Sequence, residues 1–260
     1  MLEMVILGLV QGLTEFLPVS STAHLLFAES FLGIPRPGIL LEAVLHLGTA
    51  LAALILFWDD VRRLAVGWVR GEEAVYRRVA WLIILATAIT AAVGLLFAPQ
   101  FERMYGSLRG VAFQLVLTGV ILLLAREREA RQITDLRVSD AAVLGLAQAV
   151  SIVPGISRSA ATIAGGMWVG LRRDEAARLS FLIAIPSVAG AGLFGLKDLR
   201  EGAALGYGPL HLMVGFAAAL ISGVVAIKWL LAMVRRGRLG LFAAYCIVVG
   251  LIVLVAASRG

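Results

Sequence analysis

Residues 11–24 read Gln11-Gly12-Leu13-Thr14-Glu15-Phe16-Leu17-Pro18-Val19-Ser20-Ser21-Thr22-Ala23-His24 and set an amide, a carboxylate, hydroxyls and an imidazole in oily surroundings. Gln11 and Glu15 are four residues apart, so both lie on one face of a helix. Their oxygens suit a hard divalent cation, Mg2+ or Ca2+. The alternative is that they hydrogen-bond each other and a facing helix. Of Ser20, Ser21 and Thr22, one caps the helix that restarts after Pro18. Another is available as a nucleophile if a base lies within hydrogen-bond reach. His24 follows Ser21 by three residues, on the same face, and can carry a proton near neutral pH or serve structurally. His46 and His211 read as structural or interfacial.

A second stretch, Gln148 to Thr162, looks like a degenerate copy and adds Arg158 between Ser157 and Ser159, with Thr162 one turn on. A guanidinium forks onto phosphate oxygens and stabilises charge developing there. Gly8-Leu9-Val10-Gln11-Gly12-Leu13-Thr14 matches Gly145-Leu146-Ala147-Gln148-Ala149-Val150-Ser151. With a one-residue deletion, Pro18-Val19-Ser20-Ser21 then matches Pro154-Gly155-Ile156-Ser157. Two broken helices whose second halves begin at these serines would point two helix N-termini at one anion.

The elements that must hold these groups are membrane helices. The chain has 260 residues, 60% of them hydrophobic and 15% charged; its mean hydropathy is +0.95. A soluble core of this size could not cover so much apolar surface. The net charge of +6 comes from short arginine clusters between apolar runs, the pattern that orients membrane proteins, and no nucleic-acid partner is expected. The lone cysteine, Cys246, excludes an intramolecular disulfide and reads as packing. Met1-Leu2-Glu3 lacks a basic n-region, so no cleaved signal peptide is expected.

An apolar helix over 1–17 ends at Pro18, and a short helix runs on to about residue 32. Pro35-Arg36-Pro37-Gly38 reads as a turn. Apolar spans follow at 40–58, 79–98, 109–125, 177–196 (interrupted at Pro186), 210–233 and 240–257. The basic loops 59–78, 126–140, 171–178 and 235–238 belong in the cytoplasm, while 99–108 and 197–209 carry few cations. The segments 1–33 and 141–170 must then be re-entrant from opposite faces. The expected fold is therefore all-α: one polytopic membrane domain over 1–260, six transmembrane helices plus two re-entrant helical hairpins. Its inverted repeats cover about 1–125 and 138–257, with a site near the bilayer midplane.

Gln11–His24 and Pro154-Gly155-Ile156-Ser157-Arg158-Ser159-Ala160-Ala161-Thr162 resemble the two signature motifs of the undecaprenyl-diphosphate phosphatases, the bacitracin-resistance family. Leu45–Ala50 and Phe181–Pro186 also match, so the resemblance covers essentially the whole chain. It implies hydrolysis of a C55 isoprenyl diphosphate to the monophosphate, which recycles the lipid carrier of cell-wall synthesis. It also implies a divalent cation and a site opening to the outer, periplasmic side of the bacterial inner membrane, with a homodimer as the assembly to test. By the same resemblance Glu15, Ser21, His24 and Arg158 are catalytic. Ser20, Thr22, Ser157, Ser159 and Thr162 bind substrate, and Glu15 and Gln11 bind metal. Gln11 stands where many members have glutamate, which leaves Glu15 as the essential carboxylate.

Attack by Ser21 and attack by a water are both open. A transporter or flippase for an anionic polyprenyl lipid is the rival reading, because inverted repeats with broken helices recur in transporters. The phosphatases with a histidine nucleophile fit poorly: no His-x-x-x-Asp follows Arg158, since His211 is followed by Leu212, Met213, Val214 and Gly215.

Overall fold

The computed structural model describes residues 1–33, 38–70, 74–104, 107–127, 130–195 and 208–259. The turn expected at Pro35–Pro37, Arg128, and the cations Lys197 and Arg200 lie outside these residues. The described part is all-α, with a single isolated bridge, Arg131 to Leu171, as its only β pairing. The helices are α1 (Leu2–Phe16), α2 (Ser21–Leu32), α3 (Gly38–Leu56), α4 (Trp58–Arg70), α5 (Ala74–Leu96) and α6 (Ala98–Met104). They continue with α7 (Leu108–Leu124), α8 (Val138–Val150), α9 (Arg158–Trp168), α10 (Arg173–Gly195), α11 (Pro209–Arg235) and α12 (Leu239–Arg259).

Among the described residues four helices are long and apolar enough to cross a bilayer: α5, α10, α11 and α12. The pair α3 and α4 makes a fifth if counted together, although the two are bent by 80°. The apolar helix α7 has 17 residues, at the short end of what spans roughly 30 Å of hydrocarbon.

The bend at Phe57 differs from the expected loop. Asp59 and Asp60 fall in the first turn of α4, where a helix favours negative charge. Val61 and Leu64 turn to the core while Arg62 and Arg63 turn out, so the segment is an amphipathic helix. The expected interruption at Pro186 is also absent, since α10 runs through it. Pro186 costs the helix one N–H, opposite the Leu182 carbonyl, and membrane helices tolerate that loss.

Glycines set how closely the helices approach. A Cβ at Gly8 would lie 2.6 Å from Gly215 O, and one at Gly12 would lie 2.0 Å from Ser222 Oγ. This small-residue seam lets α1 lie directly against α11. Because Gly8 meets Gly215 and Gly12 meets Gly223, the two helices run in the same direction. Gly215 meets Leu41 and Gly223 meets Ala52, so α3 runs with them. On the other side Gly145 meets Ala86 and Gly94 meets Ile152, making α8 and α5 co-directional. Phe57 stacks on Phe181 and Gly192 meets Ala43, so α10 is antiparallel to α3. Gly119 meets Ile247 and Gly250 meets Val116, so α7 and α12 are antiparallel to each other.

The basic segments gather at one end. Asp60 pairs with Arg178, Glu127 with Arg173, and Arg78 Nη2 donates to Thr134 O. Arg131 bridges Asp140 at 2.7 Å, and Arg173 lies against Gly237. Three of the four segments expected in the cytoplasm are thus joined by hydrogen bonds, with the fourth packed beside them.

Candidate active site

Both breaks in the chain are capped by serine. Ser20 accepts from Ala23 N at 3.3 Å and starts α2; Ser157 accepts from Ala160 N at 3.3 Å and starts α9. Each cap lies nine residues after its glutamine, Gln11 or Gln148. The helices therefore align without a gap, pairing Ser20 with Ser157 and Ser21 with Arg158. This corrects the gapped register, which matched Ser21 to Ser157: prolines mark where a helix stops, but the cap marks where the next one begins.

Neighbouring helices hold the breaks. Thr118 Oγ1 of α7 donates to Gly155 O at 3.1 Å and accepts from Ser157 N at 3.0 Å. On the other side, buried Cys246 of α12 donates weakly to Pro18 O at 3.4 Å. Across the seam Ser159 Oγ donates to Leu17 O at 2.9 Å, tying one hairpin to the other.

The two hairpins meet at Glu15. Its Oε1 accepts from Arg158 Nη2 at 2.6 Å. Its Oε2 accepts from Ser21 Oγ at 2.7 Å and from Gln11 Nε2 at 3.0 Å. His46 Nε2 stands 3.8 Å from the same oxygen, while His46 Nδ1 donates to Glu42 O at 2.7 Å. Glu15 is largely shielded, its side chain 5% exposed, so the pair with Arg158 is held away from bulk solvent.

These groups open into a cavity of about 220 Å3. Glu15, Ser20, Ser21, Thr22 and His46 form one wall, and Ser157 and Arg158 face them. Thr90, Gln148, Ser151 and Ser187 add further polar groups, and Ile152, Ile156, Val188 and Ala191 complete the lining. Both helix starts thus border one space, where partial positive charge favours an anion.

Several expected site residues stand elsewhere. Ser159 and Thr162 do not line the cavity. Ser159 is used on Leu17, and Thr162 Oγ1 lies 2.6 Å from Ser180 Oγ on α10. Both are buried, one on the first turn of α9 and the other a turn later, and their hydroxyls lock the helices together. His24 is not among the lining residues either. Its Nδ1 meets Ser20 O and its Nε2 meets Tyr245 Oη, each at 2.8 Å, and its ring stacks on Tyr245. Three residues apart on α2, Ser21 turns to Glu15 and the cavity while His24 turns to Tyr245 of α12. His46 is the reverse case: read as structural, it borders the carboxylate. The signal available was its place, four residues after Glu42, on the polar face of an otherwise apolar span.

The expected metal pair fares differently from the expected anion site. Glu15 is already engaged by a cation and two neutral donors. Gln11 turns its amide nitrogen to Glu15, and its buried Oε1 has no hydrogen-bond partner and does not border the cavity. Among the described residues no three His, Cys, Asp or Glu side chains cluster as metal ligands. Gln11 and Glu15 therefore do not form a ready-made divalent site.

Comparison with known proteins agrees with this geometry. The family model described as bacitracin resistance protein BacA matches residues 4–252. The chain is 41% identical to the undecaprenyl-diphosphatase of Methanobrevibacter smithii over 97% of this chain and 96% of that protein. It is 38% identical to the undecaprenyl-diphosphatase of Halothermothrix orenii, covering 98% of both. With the undecaprenyl-diphosphatase of Myxococcus xanthus it shares 39% identity over its full length and 90% of that protein. With both hairpins and the cavity inside the matched span, the chain belongs to the BacA family.

Proposed function

We propose that this membrane enzyme hydrolyses undecaprenyl diphosphate to undecaprenyl phosphate and inorganic phosphate, returning the lipid carrier of cell-wall synthesis to use. Family membership supports the reaction. The single structural observation that carries it is the contact of Arg158, Glu15 and Ser21 at one cavity. Arg158 and the two helix starts receive the anionic diphosphate, while the apolar helices accommodate its tail. Phosphoryl transfer asks mainly for positioning and charge stabilisation, which such a set supplies.

Glu15 Oε2 is the base in contact with Ser21 and takes its proton as Ser21 Oγ, or a water held in its place, attacks the terminal phosphorus. The bond to the bridging oxygen breaks and the polyprenyl phosphate leaves. If Ser21 attacks, water then cleaves the phosphoserine and releases phosphate. His46 stands beside the same carboxylate oxygen and helps retain the proton. His24 acts as a positioning residue through the Ser20 carbonyl. A divalent cation, Mg2+ or Ca2+, would offset charge on the diphosphate.

The enzyme lies in the bacterial inner membrane with its cavity toward the periplasmic side. The arginine-rich end formed by 59–78, 126–140 and 171–178 supports placing that end in the cytoplasm. α5 runs with α10, since Tyr76 and Arg178 share one pocket and Thr90 joins Ser187 through Gln148, so α5, α8 and α10 oppose α1, α3 and α11, which supports an inverted repeat. That arrangement also keeps a polyprenyl-phosphate carrier as the second reading. The test is phosphate release from undecaprenyl diphosphate in detergent, with and without chelator. Release that vanishes in Glu15→Ala and Arg158→Ala is the expected result. No release from the folded protein, with lipid movement between leaflets that survives both changes, would replace the enzyme with the carrier.

A further inference from the structure

The arginine-rich end holds a second cavity, which shares no lining residue with the first. It measures about 350 Å3 and lies where α7 ends and α10 and α12 begin. Its charged lining is Arg126, Glu127 and Arg173, and its apolar lining includes Leu123, Met167 and Leu239. Glu127 is spent within this set: it accepts from Arg173 Nε at 2.7 Å and from Nη2 of the same guanidinium. Arg173 Nη1 is left against Gly237, which stands at a positive φ of 69° and has no side chain to displace it. Arg126 is exposed, and among the described residues no carboxylate pairs with it. The lining therefore keeps a net positive charge. Arg235, Arg236 and Arg238 flank Gly237 and are exposed as well, and the first turn of α12 carries no acid. Gly240 leaves room, since a Cβ there would meet nothing within 4 Å.

The occupant that fits is an anion with an oily side. A free phosphate would use the arginines and leave the apolar lining bare. Leu123, Leu124 and Leu241 are exposed and carry that apolar surface onto the outside of the helix bundle. Trp168 fixes the depth: its ring is partly exposed and its Nε1 donates to Leu124 O at 3.1 Å. An indole so placed, apolar body outward and N–H held, belongs at the membrane–water interface. Basic pockets between membrane helices at the level of the headgroups take anionic lipids.

We propose that this cavity binds an anionic glycerophospholipid from the leaflet at the arginine-rich end. Arg126 and Arg173 Nη1 donate to its phosphate, and an acyl chain runs out along Leu123. The bound lipid joins α7 to α10 and α12. Thr118 of α7 holds the second break and Cys246 of α12 holds the first, so the lipid steadies the helices that frame both hairpins. The site stands whatever reaction runs at Glu15.

The experiment is native mass spectrometry of the whole protein in detergent, titrated with phosphatidylglycerol or with phosphatidylcholine. Phosphatidylglycerol should bind about fivefold more tightly or better, the worth of one arginine at an anionic surface. Arg126→Gln should remove most of that preference, and Arg126→Lys should keep it. Gly240→Leu fills the open space without touching a charge, and should remove the binding in a protein that melts no lower than the parent. Arg77→Gln takes an equal charge from the exposed start of α5, at the same end but off the cavity, and should leave the preference in place. Equal binding of the two lipids by the parent overturns the proposal. So does a preference lost as fully in Arg77→Gln as in Arg126→Gln, which would mark a diffuse effect of charge. Inorganic phosphate bound as tightly as the lipid would mark a site for the free anion and overturn it too.

Discussion

The two hairpins have one backbone plan and divide the work. Each runs from a glutamine to a capping serine nine residues later, and each restarts its helix at the cavity. In the first, the position after the cap is Ser21 and a carboxylate, Glu15, lies in the last turn of the first half. In the second, the position after the cap is Arg158, and Ile152 stands where Glu15 would be. The duplicated scaffold thus delivers a hydroxyl paired with a carboxylate from one side and a guanidinium from the other. The hydroxyls differ as well: Ser159 and Thr162 hold hairpin two to its neighbours, whereas Ser21 and Thr22 face the cavity. A broken helix used twice yields a complementary pair because one position after the cap carries opposite chemistry in each copy.

The sharpest way to break that complementarity is to remove one member of the Glu15–Arg158 pair. Arg158→Ala or Glu15→Ala should lower phosphate release by about 10³-fold or more, at the upper end of what losing one transition-state donor costs. Either change strands a shielded charge and should cost about 3–5 kcal/mol of stability in detergent unfolding. Replacing both with methionine should restore most of the stability and none of the activity. Equal losses in the single and double variants would mean the pair is not the link between the hairpins.

Ser21→Ala is next, expected to lower kcat by about 10²–10⁴-fold while leaving unfolding nearly unchanged. The comparison in hairpin two is Ser159→Ala, which loses the bond to Leu17 and should cost about 1 kcal/mol of stability with kcat within a few-fold. Trapping of phosphate on Ser21 separates attack by serine from attack by water. His46→Gln should lower kcat by about tenfold, because Glu15 keeps its contact with Ser21 and loses only a neighbouring proton carrier.

How much of this was legible follows from which physical signals act locally. Hydropathy and the position of Pro18 show where helices run and stop, and α1, α3, α5, α7 and α10 to α12 fall where those signals put them. Residue type marked Glu15, Ser21 and Arg158, since a carboxylate and a guanidinium in apolar surroundings need partners. Direction was not legible. Whether a hydroxyl on α9 faces the cavity or α10 depends on the turn that begins the helix, so Ser159 and Thr162, substrate contacts by the resemblance, lie on Leu17 O and Ser180 Oγ. His24 was lost to Tyr245 for the same reason, an aromatic 221 residues away. Thr90, Gln148 and Ser187 meet from three helices, and no local pattern announces that.

The smallest effect tests how each hairpin makes its turn. Ser20 is the one non-glycine residue with positive φ among the described residues, at 68°, while the second hairpin uses Gly155 at 97°. A side chain in that region stores about 1 kcal/mol of strain or more. Ser20→Gly relieves it and loses the cap to Ala23 N, a loss of only a few tenths of a kcal/mol when glycine is the replacement. The net expectation is a stability gain of about 0.5–1 kcal/mol, read as a higher midpoint in thermal unfolding. Because Ser21 follows directly, kcat should fall by a few-fold as its hydroxyl is held less firmly against Glu15. The reverse exchange must fail: in Gly155→Ala the new Cβ would stand 2.5 Å from Val111 O, so stability drops. A Ser20→Gly protein that is less stable and equally active would show that the strain at Ser20 does not position Ser21. The two turns would then differ only in how the backbone happens to be accommodated.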